Sequence, residues 1–147
     1  MSKNLHSSEV STKKNKSPNT FITRIGRSYK FEAAHFLPCV PIGHKCKNFH
    51  GHNYRVDIVV QGSLDERGFV KDFSEMDDEI SLLIEKVDHC LLNEIEGLEN
   101  PTAEIIAAWF LERISDCESV RVYENDWSWA EVRIRKTDQL VGNDRKV

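Results

Sequence analysis

No apolar run in this 147-residue chain approaches the roughly 20 residues needed to cross a bilayer. The first twenty residues, MSKNLHSSEVSTKKNKSPNT, lack the apolar centre of a secretion signal. No membrane association is expected, and the chain reads as a cytoplasmic protein. The four cysteines, Cys39, Cys46, Cys90 and Cys117, form no C-x-x-C pair, and in a reducing compartment they are expected as thiols. Positive charge is also scarce. The first twenty residues hold four lysines and one glutamate, leaving 16 basic against 23 acidic groups in residues 21–147. Neutralising the phosphates of a nucleic acid requires the opposite balance, so no nucleic-acid partner is expected. An anionic small ligand has to be met by local cations, for which Arg24, Arg27, Lys45 and Lys47 are available.

The length suits one domain with its own core. Residues 1–20 are too polar to bury much surface and read as a flexible tail. The folded domain is expected over 21–137, with a second tail over 138–147.

Successive side chains of a strand point to opposite faces. In the run from His50 to Val60, alternation places His50, His52, Tyr54, Val56, Ile58 and Val60 on one face. In the segment at about 21–36, Ile25, Arg27, Tyr29, Phe31, Ala33 and His35 share a face in the same way. If these strands are neighbours, His35, His50 and His52 converge on the covered side of the sheet. A lone histidine on an apolar face is usually a core residue, but three neutral imidazoles form a known zinc set that leaves a fourth position open. The roughly 13-residue loop between the strands is long for a compact domain, which favours a functional role. It carries Cys46 between Lys45 and Lys47. A closed structural zinc site built from Cys39, Cys46, His50 and His52 is the non-enzymatic alternative.

Further along, Met76, Ile80, Leu83, Ile84 and Val87 recur at helical spacing behind Ser74, the expected N-cap. A second helix is expected after Thr102, burying Ile105, Ile106, Trp109 and Phe110. Val120–Glu124 and Trp129–Arg135 alternate around the turn N125-D-W-S128 and form a hairpin. Alternation separates two glutamates there: Glu124 shares the inner face with Val120 and Val122, whereas Glu131 lies outside with Arg133. An acid on a covered face needs a partner, which makes Glu124 a ligand-binding candidate. The expected fold is α+β, β-β-α-α-β-β, a four-stranded antiparallel sheet with two helices on one face. Its open edges invite association.

F-E-A-A-H (31–35), C-K-N-F-H-G-H-N-Y (46–54), V-K-D-F (70–73), V-D-H-C-L-L-N (87–93), G-L-E-N-P-T-A-E (97–104) and V-Y-E (122–124) resemble, in order, the marks of the 6-pyruvoyltetrahydropterin and 6-carboxytetrahydropterin synthase family. The resemblance implies the tunnelling fold, in which sheets of several subunits join into a barrel, commonly a homohexamer with active sites between subunits. It also implies zinc on His35, His50 and His52, Cys46 as base, and Asp88 and His89 as proton-transfer partners. Glu124 becomes the anchor of the pterin ring, and Thr102 lines the pterin pocket. The spacing C-x3-H-G-H and the run P-x-G-H-K-C resemble the bacterial-type 6-carboxy enzymes of the queuosine pathway. The implied reaction turns 7,8-dihydroneopterin triphosphate into 6-carboxy-5,6,7,8-tetrahydropterin with release of triphosphate and acetaldehyde, a lyase activity. The pyruvoyl synthase is the alternative within the family. One departure is K-N-F at 47–49, where this group often has G-R-L, so an arginine is missing from the loop.

Overall fold

Alternating apolar residues set two long strands, β1 (Thr23–His35) and β2 (His50–Gly62). They pair antiparallel along their whole lengths, from Thr23 opposite Gly62 to His35 opposite His50. The computed structural model describes residues 21–135. The tails expected at 1–20 and 138–147, and the last two positions of the expected domain, lie outside the described residues. On the covered face Phe31, Tyr54, Val56, Ile58 and Val60 are buried, and the Phe31 ring stacks on Tyr54 with centroids 4.8 Å apart. Burying each such side chain contributes roughly 1.5–3 kcal/mol. Gly51, between two of the histidines, has a steric reason: a Cβ there would meet the Ala33 carbonyl oxygen at 3.1 Å.

Helix α1 (Phe73–Val87) buries Met76, Ile80, Leu83 and Val87, the stripe its spacing predicts. Its cap differs from the expected Ser74. Asp72 is the N-cap, and its carboxylate accepts from the Ser74 N–H at 2.8 Å. The aspartate satisfies an orphan donor of the first turn from two residues upstream, and the helix begins at Phe73, whose ring is exposed and takes no part in the buried stripe. Helix α2 (Ala103–Leu111) starts at Thr102 as its sequence predicts, with the hydroxyl accepting from the Ile105 N–H.

The expected four-stranded antiparallel sheet is corrected to a five-stranded mixed one. Strand β3 (Cys90–Leu91) lies parallel to β1, pairing Ala33 with Cys90 and Ala34 with Leu91. Two residues are too few to show a period, so alternation could not mark this strand. It is placed by the turn before it. His89 adopts a left-handed φ of 55° and donates its N–H to the Glu32 carbonyl at 2.6 Å. Strands β4 (Cys117–Asn125) and β5 (Ser128–Arg133) form the expected hairpin, giving the order β3-β1-β2-β4-β5.

Residues of α1 and α2 join Phe31, Tyr54, Val120 and Val122 in one core, so both helices cover the same sheet face. The other face carries charge: Arg55 stacks over Tyr123 at 3.7 Å, and Glu131 accepts from Arg121 at 2.8 Å and Arg133 at 2.7 Å. Among the described residues, no helix is long and apolar enough to cross a membrane.

Candidate functional site

Antiparallel register determines what meets at the end of β1 and β2. His35 lies directly opposite His50, and His52 opposite Ala33. All three imidazoles project to the covered face, and one ring nitrogen of each lies within 4.8 Å of the others. His35 is buried at 1% exposure, while His50 and His52 are half-buried.

Backbone carbonyls orient two of these rings. His35 Nδ1 lies 2.9 Å from the Pro101 oxygen, and His50 Nδ1 lies 2.8 Å from the Asn48 oxygen. A carbonyl only accepts, so each Nδ1 must carry the proton. The two Nε2 atoms, 2.9 Å apart, therefore present lone pairs to one another when both rings are neutral. A cation between them turns that repulsion into coordination, and carbonyl-oriented imidazoles are the usual outer arrangement of a metal site. Burial also lowers the pKa of His35 and His52, favouring the neutral, ligating form. His35, His50 and His52 thus fit a metal ion, and this group includes neither Cys39 nor Cys46. The closed Cys39–Cys46 site is not what the fold builds.

The marks L-L-N and L-E-N-P-T hold His35 in place. Asn93 accepts from the Phe36 N–H at 3.0 Å and donates to the Phe36 and Glu99 carbonyls at 2.8 and 3.2 Å. One amide thereby ties the end of β1 to the segment that supplies the Pro101 carbonyl.

Beside the histidines is a cleft of about 490 Å³ lined by Lys45, Cys46, His50, His52, Glu124 and the hairpin turn at Asn125, Trp127 and Ser128. Cys46 sits on a helical turn, Lys45–Lys47, fixed at both sides. The Cys46 N–H donates to His44 Nδ1 at 3.1 Å, and the Cys46 carbonyl accepts from the Leu37 N–H at 2.8 Å. No local sequence pattern marks His44, which caps the turn that carries the cysteine. A lost cap is worth about 1 kcal/mol, roughly fivefold in the opening of such a turn. His44→Ala should accordingly speed alkylation of Cys46 about fivefold, read by peptide mass mapping, and His44→Asn, which keeps an acceptor, should restore protection. An unchanged rate in His44→Ala would count against the cap.

Glu124 lies on the inner side of β4 and lines the cleft together with His52. Close by is the hydroxyl of Tyr54. It is buried without a hydrogen-bond partner among the described residues, and burial together with the Glu124 charge raises its pKa. Alternation marked Tyr54 only as a core position. Of the four candidate cations, Arg24 pairs with Glu118, Arg27 with Asp77, and Lys47 reaches the Val40 carbonyl at 3.4 Å. Lys45 is the one that lines the cleft.

Asp88 and His89 are brought together with each other but not with Cys46. Asp88 accepts from the Glu32 N–H at 2.8 Å and lies 2.9 Å from His89 Nδ1. Its carboxyl is held below the usual range by the Glu32 N–H and then by His89, and the His89 pKa is raised by Asp88. His89, backed by Asp88, opens on a separate cleft of about 520 Å³ whose lining includes Glu32, Ala34, Gly51 and Asn53. Only His52 borders both clefts. The left-handed φ of His89 costs of order 1–3 kcal/mol for a residue with a Cβ, a conformation kept by the two backbone links to Glu32. Thr102 lines neither cleft; it stands next to Pro101, at the start of α2.

Residues 24–135 match the family model described as 6-pyruvoyl tetrahydropterin synthase. A protein of Archaeoglobus fulgidus provisionally named 6-carboxy-5,6,7,8-tetrahydropterin synthase is 39% identical over 114 residues, covering 74% of this chain and 94% of that one. The 6-carboxy-5,6,7,8-tetrahydropterin synthase of a Synechocystis species is 37% identical over 100 residues, covering 63% of this chain and 74% of its own length. Among solved structures, the Caenorhabditis elegans 6-pyruvoyl tetrahydropterin synthase superposes with a TM-score of 0.71 at 26% identity, covering 78% of this chain and 96% of that one.

Proposed function

This chain belongs to the 6-pyruvoyl tetrahydropterin synthase family, and we propose that it is the zinc-dependent enzyme that converts 7,8-dihydroneopterin triphosphate to 6-carboxy-5,6,7,8-tetrahydropterin, releasing triphosphate and acetaldehyde. This lyase reaction would serve queuosine and related deazapurine synthesis. The observation that carries the reading is a single cleft bordered by Cys46, His50, His52 and Glu124 over a histidine trio that could hold a metal. The C-x3-H-G-H spacing and the names of the relatives favour the carboxy over the pyruvoyl product.

Each residue has a task its chemistry suits. The Glu124 carboxylate accepts two hydrogen bonds from the amino and ring N–H donors of a pterin edge, a paired geometry that fixes orientation. Zinc held by His35, His50 and His52 would supply the positive charge that acidifies the substrate side chain. Cys46 removes the carbon-bound proton, a general-base role within reach of the same cleft. Lys45 offers a cation for the triphosphate. Thr102 contributes a pterin contact from a neighbouring subunit.

His89, with Asp88 behind it, opens on a different cleft from Cys46, which favours a homo-oligomer, with a hexamer as the expected form. There the Asp88–His89 pair of one copy shuttles protons in the cleft of another. The two-residue β3 and the outer side of β5 leave sheet edges through which copies can join. The four cysteines are unpaired, which suits a reducing compartment such as the cytoplasm.

The test is to incubate the zinc-loaded protein with 7,8-dihydroneopterin triphosphate and identify the products by mass. The expected outcome is the 6-carboxy product with acetaldehyde. A pyruvoyl product without acetaldehyde would move the chain to the pyruvoyl synthase activity, and intact substrate would rule out both.

A further inference from the structure

Three tryptophans stand in three environments. Trp109 is in the core and donates its indole N–H to the Glu96 carbonyl at 3.1 Å. Trp129 is half-covered, with Arg121 4.1 Å over its ring and Tyr123 6.5 Å away. Trp127 is 81% exposed, and its ring is not among the ring–ring or cation–ring contacts of the described residues. Yet it lines the cleft that holds Cys46, His50, His52 and Glu124. The turn beneath it is fastened: Asn125 Oδ1 accepts from the Trp127 N–H at 3.1 Å and the Ser128 N–H at 2.7 Å. A large indole is thus held over the cleft by a braced backbone, three residues beyond Glu124, with its face uncovered.

We propose that Trp127 is the stacking platform for the pterin ring, covering the face of the bicycle while Glu124 grips its edge. This deepens the synthase reading and rests on it. A carboxylate in one plane fixes rotation within the ring plane but leaves the ring free to tilt out of it. A braced aromatic face parallel to the ring removes that tilt. Indole is the best side chain for this: it offers a wide π-face at little cost in conformational entropy. Stacking reads the ring and not the side chain, so the contribution should be the same for a pterin without phosphates. A core aromatic would have been buried, and a purely structural turn needs no indole, since its hydrogen bonds come from Asn125.

The test titrates the zinc-loaded full chain with 7,8-dihydroneopterin, the phosphate-free probe, following indole fluorescence and, independently, heat. Wild type should show strong quenching. Trp127→Phe should lose most of the quench while binding within about threefold of wild type, because phenylalanine still stacks. Trp127→Ala should bind about tenfold more weakly, the scale of one base–aromatic stack, with zinc content and sedimentation unchanged. Equal affinity of Trp127→Ala and wild type would overturn the platform alone. Loss of assembly in Trp127→Ala that Trp127→Phe does not repair would also overturn it, as the mark of a subunit contact. If wild type binds no dihydroneopterin, the synthase reading fails and the platform falls with it.

Discussion

Replacing Cys46 by alanine is expected to lower kcat by ~10²–10⁴-fold, the range for a lost general base, while zinc stays bound at full stoichiometry. The separation of these two effects follows from placement. The metal-capable group is His35, His50 and His52 without Cys46, and Cys46 reaches the cleft from a turn whose backbone is fixed by His44 and Leu37. The side chain is half-buried and the turn contributes no residue to the core, so the variant should melt within about 0.5 kcal/mol of wild type, as surface changes do. KM should move little, since the proposed anchors of the pterin edge and face, Glu124 and Trp127, are other residues of the cleft. Metal analysis, melting and steady-state kinetics on one preparation check all three. Zinc lost together with activity would make Cys46 a ligand and overturn the assignment; an unchanged kcat would remove it from the chemistry.

Much of this site is legible because strand alternation is a strict code. Period two alone put His35, His50 and His52 on one face and parted Glu124 from Glu131, and the register makes His35 and His50 opposite neighbours. Where the controlling geometry has no period, the sequence was silent or misleading. Strand β3 has two residues and depends on a left-handed His89. The cap of α1 is Asp72 and not Ser74, because aspartate and serine both suit an N-cap and each would begin the helix at a different residue, so only coordinates decide between them. The Asn93 amide and the Pro101 carbonyl act on His35 across more than fifty residues of chain, a relation that no local pattern encodes. Asp88 and His89 stand out only through family resemblance, and the left-handed turn at His89 and the separate cleft it lines emerge from the fold.

Substituting His50 by alanine should abolish stoichiometric zinc binding and with it all measurable turnover, yet leave the protein folded. The argument turns on where the three ligands sit relative to the core. His50 is half-buried at the strand end, beyond Tyr54, Val56, Ile58 and Val60, which are buried with or without a metal. Its loss deletes one of three donors and releases the Asn48 carbonyl, which is exposed and can bond water. His35 is the contrasting case. It is 1% exposed and donates to Pro101, so His35→Ala leaves a cavity and a buried carbonyl without a donor, a cost of about 1–3 kcal/mol for the orphaned group alone. Zinc content should fall in both variants, whereas melting should drop clearly only in His35→Ala. Chelation of the wild-type protein should behave like His50→Ala, with turnover lost and helix content retained by circular dichroism. In a structural zinc module, metal binding and folding are one equilibrium, so unfolding on chelation would sink the catalytic reading. Survival of the fold would place the stability of the domain in its apolar core and leave the open coordination position for the substrate.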